Sequence, residues 1–188
     1  MNHQLLGFFS GFPNHRFSRN VADRLSEELT NRNSLVFISA WPMEYKRNDN
    51  DSTGMHGMFE ECNMPFARYY VIDNRMEASY ATRLIHEASC VFLMGGHPGQ
   101  QFQLICNKGL DVAIRDTSAA ILGVSAGAIN MAKRSLDTKD SCVSSRCSRS
   151  GTSFWSASRI QSGKIPSTHP SPCTYGRKPR TTAPSTTT

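Results

Sequence analysis

No apolar run in these 188 residues approaches the ~20 needed to cross a bilayer, so the sequence contains no helical membrane span. The opening Met1-Asn2-His3-Gln4-Leu5-Leu6-Gly7-Phe8-Phe9 lacks a charged segment followed by a long apolar core, and no signal peptide is read from it. There is no C-x-x-C pair among the six cysteines, which removes the usual spacing of a structural zinc or a dithiol redox site. Cys62, Cys90 and Cys106 fall in helix- or strand-like segments. The reading is therefore reduced thiols in a cytoplasmic protein, with no metal and no cofactor. Cys90 and Cys106 read as small core residues.

Acidic residues are absent after Asp140. Of the 21 Lys/Arg, seven lie in residues 141–188; the other 14 stand against 15 Asp/Glu in residues 1–140, a net of −1. The formal charge of +6 is thus a property of the tail, and the near-neutral body argues against a nucleic-acid protein. The basic run Arg177-Lys178-Pro179-Arg180 has no interleaved aromatics, so no specific nucleic-acid contact is expected there. Residues 141–188 also hold 20 Ser/Thr in 48 positions and almost no aliphatic periodicity. Such a segment buries too little apolar surface to offset its chain entropy, and disorder is expected. The change at 141 is abrupt enough to suggest a shifted reading frame. That hypothesis predicts a folding-competent continuation in another frame of the same DNA, and its absence there would count against it.

The body, residues 1–140, is organised differently. Short apolar runs alternate with segments of helical period. Leu5–Phe12, Ser34–Ala40, Ala67–Ile72, Ser89–Met94 and Ala119–Val124 read as strands. Between them, Phe17–Asn31 is amphipathic through Val21, Leu25 and Leu29, with Ser18 as its cap. Residues 44–53 are polar and read as a surface loop, with His56 flanking it. Thr53–Cys62 then reads as a helix carrying Met55, Met58 and Phe59. Met76–Ala88 is a helix facing inward with Tyr80, Leu84 and Ile85, and Gln100–Arg115 is a further helix with Phe102, Ile105, Leu110 and Ile114. Strand and helix in strict alternation predict an α/β fold, a mainly parallel sheet with helices on both faces. Sites in such sheets form at the carboxyl ends of strands. Two glycine-rich turns fall there, Gly95-Gly96 and Gly123-Val124-Ser125-Ala126-Gly127.

The second turn matches G-x-S-x-G between a strand-like run and the helix-like Ile129-Asn130-Met131-Ala132-Lys133-Arg134. A serine on a tight strand-to-helix turn is pushed clear of the sheet, and small neighbours are needed where backbones crowd. With Phe92-Leu93-Met94-Gly95-Gly96-His97-Pro98-Gly99-Gln100 and Ile121-Leu122-Gly123-Val124-Ser125-Ala126-Gly127-Ala128, residues 5–140 resemble peptidase family S51. These are the dipeptidase E and cyanophycinase relatives, of class I glutamine amidotransferase-like, three-layer fold. The resemblance implies a serine peptidase acting on Asp-X dipeptides or related aspartyl bonds. It makes Ser125 the nucleophile and the N–H groups of Gly96 and Ala126 the oxyanion donors. Gly95, His97 and Gln100 become substrate contacts, and a small peptide the partner. His97 stands where the family often has Asn.

The family's general base follows the serine by some forty residues, with an acidic orienter later still. Here only His169 follows Ser125, in an unstructured-looking segment, and no acid lies beyond Asp140. Of the remaining histidines, His97 is close enough to substitute but reads better as a turn residue. His86 belongs on a helix edge, and His3 and His15 have no evident partner. Three readings stay open: an S51-like peptidase or an inactive copy of one; a non-catalytic module binding a small molecule or peptide on the same fold; and a partner-binding protein driven by its basic tail. The family's sheet continues past the elbow helix. A chain lacking those strands leaves apolar surface uncovered, and poor solubility or pairing with another copy, a homodimer, is the expected consequence.

Overall fold

A computed structural model describes residues 4–132 and the backbone of two further strands, Ser135–Asp137 and Cys142–Ser144. The expectations for His3, for His169 and for the tail from residue 145 onward lie outside the described residues. All described elements belong to the unit Met1–Ser156.

Five strands form one sheet: β1 (Leu6–Phe9), β2 (Leu35–Ile38), β3 (Tyr69–Ile72), β4 (Cys90–Leu93) and β5 (Ala120–Val124). Their order is β1-β5-β4-β2-β3, and every neighbouring pair is parallel. β2 and β4 are buried along their whole length, as continuous apolar runs in central parallel strands should be. Six helices connect and follow the strands: α1 (Arg19–Glu28), α2 (Tyr45–Glu61), α3 (Ala78–Glu87), α4 (Pro98–Asn107), α5 (Leu110–Asp116) and α6 (Ala126–Asn130). The steps β1 to β2 and β2 to β3 run toward the β3 edge, and the later steps run back. Right-handed crossovers then require the two sets of helices to lie on opposite faces.

The core divides accordingly. Leu35, Phe37, Cys90, Phe92, Leu122 and Val124 point to one face and pack with Leu25 of α1 and Met58 and Phe59 of α2. Val36, Ile38, Val91, Leu93 and Ile121 point to the other and pack with Leu84 and Ile85 of α3, Leu104 and Ile105 of α4, and Ile114 of α5. Burying each large apolar side chain contributes about 1.5–3 kcal/mol. The expected three-layer α/β arrangement is what the chain adopts.

Several local expectations are corrected. Residues 44–53 are not a loop: α2 begins at Tyr45, because Asn48 and Ser52 are buried on the same face as Met58 and Phe59, with an Arg47–Asp51 pair one turn apart on the outside. His56 therefore lies within the helix, where its ring stacks on Tyr69 at 4.6 Å. The helix expected over Gln100–Arg115 is two helices. It is broken at Gly109, whose left-handed conformation (φ 63°) ends α4 and starts α5. Tyr80 is exposed, and Ala81 takes the inward position on α3. Ser18 sits at the N-cap of α1 without a side-chain bond to it. The elbow helix starts at Ala126 and ends at Asn130, earlier than the run from Ile129 implied. Cys62 and Cys90 are free, and burial pushes the Cys90 thiol up. Cys142–Ser144 pairs antiparallel with Ser135–Asp137, a ribbon that crosses the compositional boundary at 141.

β1 and β3 are the edges of the sheet. On β1, Leu6 and Phe8 are exposed (Phe8 by 56%), and Ile129 of α6 is exposed as well. No helix of the described residues is long and apolar enough to cross a membrane.

Candidate active site at the carboxyl ends of the strands

The helices that follow β2 and β4 leave toward opposite faces, although the two strands are neighbours. A crevice opens at the carboxyl ends of such a pair. Ala40 and Trp41 follow β2, Gly95 and Gly96 follow β4, and Ser125 follows β5, the next strand along.

Ser125 stands between β5 and α6 with φ 50° and ψ −108°. A positive φ of this kind is rare for a residue with a side chain and costs about 1–3 kcal/mol. It holds because the backbone on both sides is fixed. The Ser125 N–H donates to Phe9 O (2.8 Å), and its carbonyl accepts from the Ile129 N–H (3.0 Å). The two motif glycines are required by contact. A Cβ on Gly123 would lie 2.6 Å from Met131 Sδ and 2.8 Å from the Gly127 carbonyl carbon. A Cβ on Gly127 would lie 2.1 Å from Leu93 O. α6 thus rests directly on the backbone of β4, and Ser125 is left exposed at its start. Among the described residues, the Ser125 hydroxyl has no hydrogen-bond partner.

The Gly95-Gly96 turn lies beside this elbow. A Cβ on Gly95 would come 3.7 Å from Ser125 Cβ. Gly96 has φ 143°, and a Cβ there would meet Trp41 Nε1 at 2.3 Å, so only glycine fits under the indole. Trp41 Nε1 is buried and unpartnered among the described residues. The Gly96 N–H makes no bond to a described residue, and the Ala126 N–H opens a helix, where no intrahelical acceptor exists for it. His97 is the N-cap of α4: its Nδ1 accepts from the Gln100 N–H at 3.4 Å, and its ring meets Trp41 edge-on at 5.8 Å. Gln100 is half-buried in the first turn of α4.

Four residues that sequence reasoning missed support the site. Gln101 is fully buried, and its Nε2 donates to Ile38 O (2.9 Å) and Met94 O (3.0 Å), tying the ends of β2 and β4 together. Asn130 Nδ2 donates to Gln101 Oε1 (3.0 Å) and Pro98 O (2.9 Å), which ties α6 to α4. Trp41 stands just past the apolar run Ser34–Ala40, and His15 was legible only as a histidine without a partner. His15 lines a cavity of about 470 Å³ that reaches Gly95 and Val124. Neither contact has a signal in local sequence, since each joins segments far apart in the chain.

Trp41 is itself held by a buried polar network. Ser39 Oγ accepts from the Trp41 N–H (2.9 Å) and donates to Asn48 Oδ1 (2.7 Å). Asn48 Nδ2 donates to Trp41 O (3.0 Å) and to Asp73 Oδ2 (3.2 Å). Asp73 is fully buried, and Arg75 donates to it through Nε and Nη2. The same guanidinium bonds Asp49 on the surface, holding that carboxyl below the usual carboxylate range and raising its own pKa. The stabilisation from Asp49 is therefore present above the ordinary carboxylate pKa and is lost as pH falls through the depressed value. Asp73→Ala strands the Asn48 amide in the interior and one side of a half-exposed Arg75. Urea unfolding is expected to show a loss of about 2–3 kcal/mol, and a loss under about 0.5 would mean the network holds nothing.

His56 is turned away from the site, with Nε2 3.3 Å from Phe66 O, and His86 is exposed on α3. Among the described residues, no cluster of three or more His, Cys, Asp or Glu is arranged to hold a metal.

No family model matches the sequence, and no curated protein matches it. Eleven chains of known structure do match in fold. One is the crystal structure of a peptidase from an acI-B1 Actinobacterium, with a TM-score of 0.56 and 14% sequence identity. The match covers 73% of this chain and 61% of that one, so this chain spans less than two thirds of the solved peptidase. At that identity the likeness is one of fold alone.

Proposed function

We propose that this chain is built as a serine-type hydrolase of peptides, of the S51 kind, with Ser125 as nucleophile. The observation that carries the reading is the backbone of Ser125, exposed at φ 50° and ψ −108° between β5 and α6. Such strain at a nucleophile elbow serves to present the hydroxyl beyond the sheet. The N–H groups of Gly96 and Ala126 are the proposed oxyanion donors, with Gly95, His97 and Gln100 around the substrate. The attacking hydroxyl adds to the carbonyl carbon, the oxygen takes up charge between the two amides, and the leaving amine departs with a proton. A base must take the serine proton in that step. None of the described histidines is bonded to Ser125, so turnover in this chain is expected to be slow.

A fluorophosphonate probe tests this. Labelling of the folded chain should occur at Ser125, vanish in Ser125→Ala, and run about 10²–10³ times faster than labelling of the urea-unfolded chain. Equal rates in the folded and unfolded chain would overturn the hydrolase reading. The unpartnered Ser125 hydroxyl favours a second reading, a non-catalytic module that binds a small peptide at the same crevice. That reading predicts saturable peptide binding with no accelerated labelling.

A further inference from the structure

Beside the elbow, the cavity of about 470 Å³ lies between α2, the segment after β1, and the carboxyl ends of β4 and β5. Its walls are Phe12, Met55, Met58, Met94 and Val124, and the same wall includes Gly95. Among the described residues, no Lys or Arg lines it, and Asp51 is the one carboxylate that does. The nearest guanidinium along α2, Arg47, is taken up by Asp51 at 3.4 Å and stacks over Trp41 at 4.7 Å. The volume suits one side chain and its flanking backbone.

We infer that this cavity holds an uncharged, apolar side chain of the bound peptide, not the aspartyl side chain that the family resemblance implies. The inference rests on Ser125 as the reacting residue and names what sits next to it. A carboxylate placed here would lose its hydration, gain no cation, and face Asp51. An apolar side chain loses nothing and covers three thioethers, which are flexible and polarisable enough to fit several aliphatic or aromatic shapes. Asn50 and His15 at the lining offer hydrogen bonds to peptide backbone.

The test uses the full chain with ¹³C-methyl methionine, titrated with N-acetyl-leucine amide and, separately, with N-acetyl-aspartate amide. The leucine compound should shift the Met55, Met58 and Met94 methyl signals with an affinity at least about tenfold above that of the aspartate compound. Met55→Lys, at a half-buried position on α2, should reverse the preference by putting a cation in the wall. Tighter binding of the aspartate compound to the unmodified chain, or no shift of these methyls with either compound, overturns the inference. Fluorophosphonate labelling in parallel separates the two levels. Leucine-dependent shifts without accelerated labelling leave the side-chain preference standing and remove the serine chemistry. Accelerated labelling with aspartate-dependent shifts does the opposite.

Discussion

Gly127→Ala is expected to cost the fold a large share of its stability. A Cβ at this position would stand 2.1 Å from Leu93 O, 2.6 Å from the Leu93 carbonyl carbon and 2.7 Å from Leu93 Cβ. These are atoms of β4, which is hydrogen-bonded on both sides, to β2 and to β5. Neither the strand nor the helix can retreat without breaking the sheet. Overpacking usually costs about 1–3 kcal/mol, but a collision with the backbone of a central strand belongs above that range, at roughly 3–5 kcal/mol. A domain of this size has only about 5–15 kcal/mol in total. Urea unfolding followed by circular dichroism gives the measurement. Gly57→Ala is the matched control: a methyl there meets nothing within 4 Å inside α2, and a gain of about 0.5–1 kcal/mol is expected. If Gly127→Ala unfolds within about 1 kcal/mol of the parent chain, α6 does not rest on β4 as described, and the position of Ser125 falls with it.

That contact explains why the elbow was legible in the sequence while much around it was not. Gly123 and Gly127 are glycines because specific atoms occupy the space of their side chains, so a short motif carries the tertiary contact in its own letters. The central strands were legible for a similar reason: Leu35–Ile38 and Cys90–Leu93 are buried on both faces and must read as unbroken apolar runs. The first half of α2 failed that test. Its inward face there is Asn48, buried against Ser39, Trp41 and Asp73, and Ser52, buried with its hydroxyl donating to Asp49 O, and apolar periodicity does not register a polar face. The break between α4 and α5 had a visible signal in Lys108-Gly109, which the apolar spacing on either side concealed. Gln101 and Asn130 had none. Their pairing is set by the approach of α6 to α4, a consequence of the β5–α6 turn and of nothing near Gln101 in the chain.

Ser125 offers a second large effect, because its stability and its chemistry can be moved in opposite directions. Ser125→Ala and Ser125→Gly both delete the hydroxyl, and each should reduce fluorophosphonate labelling at this position to nothing. Their stabilities should differ. Alanine keeps a Cβ at φ 50° and ψ −108°, so the strain stays, and its unfolding free energy should lie within about 0.5 kcal/mol of the parent. Glycine reaches this conformation freely. The relief of about 1–3 kcal/mol, less the roughly 0.5–1 kcal/mol that glycine loses through its unfolded-state entropy, leaves a net gain of up to about 2.5 kcal/mol. A more stable chain that has lost its reactive group is the signature of strain held for function, since a turn selected only for folding would have glycine there already. Should Ser125→Gly prove less stable than Ser125→Ala, the backbone at 125 is not strained, and the case for an activated serine loses the feature on which it stands.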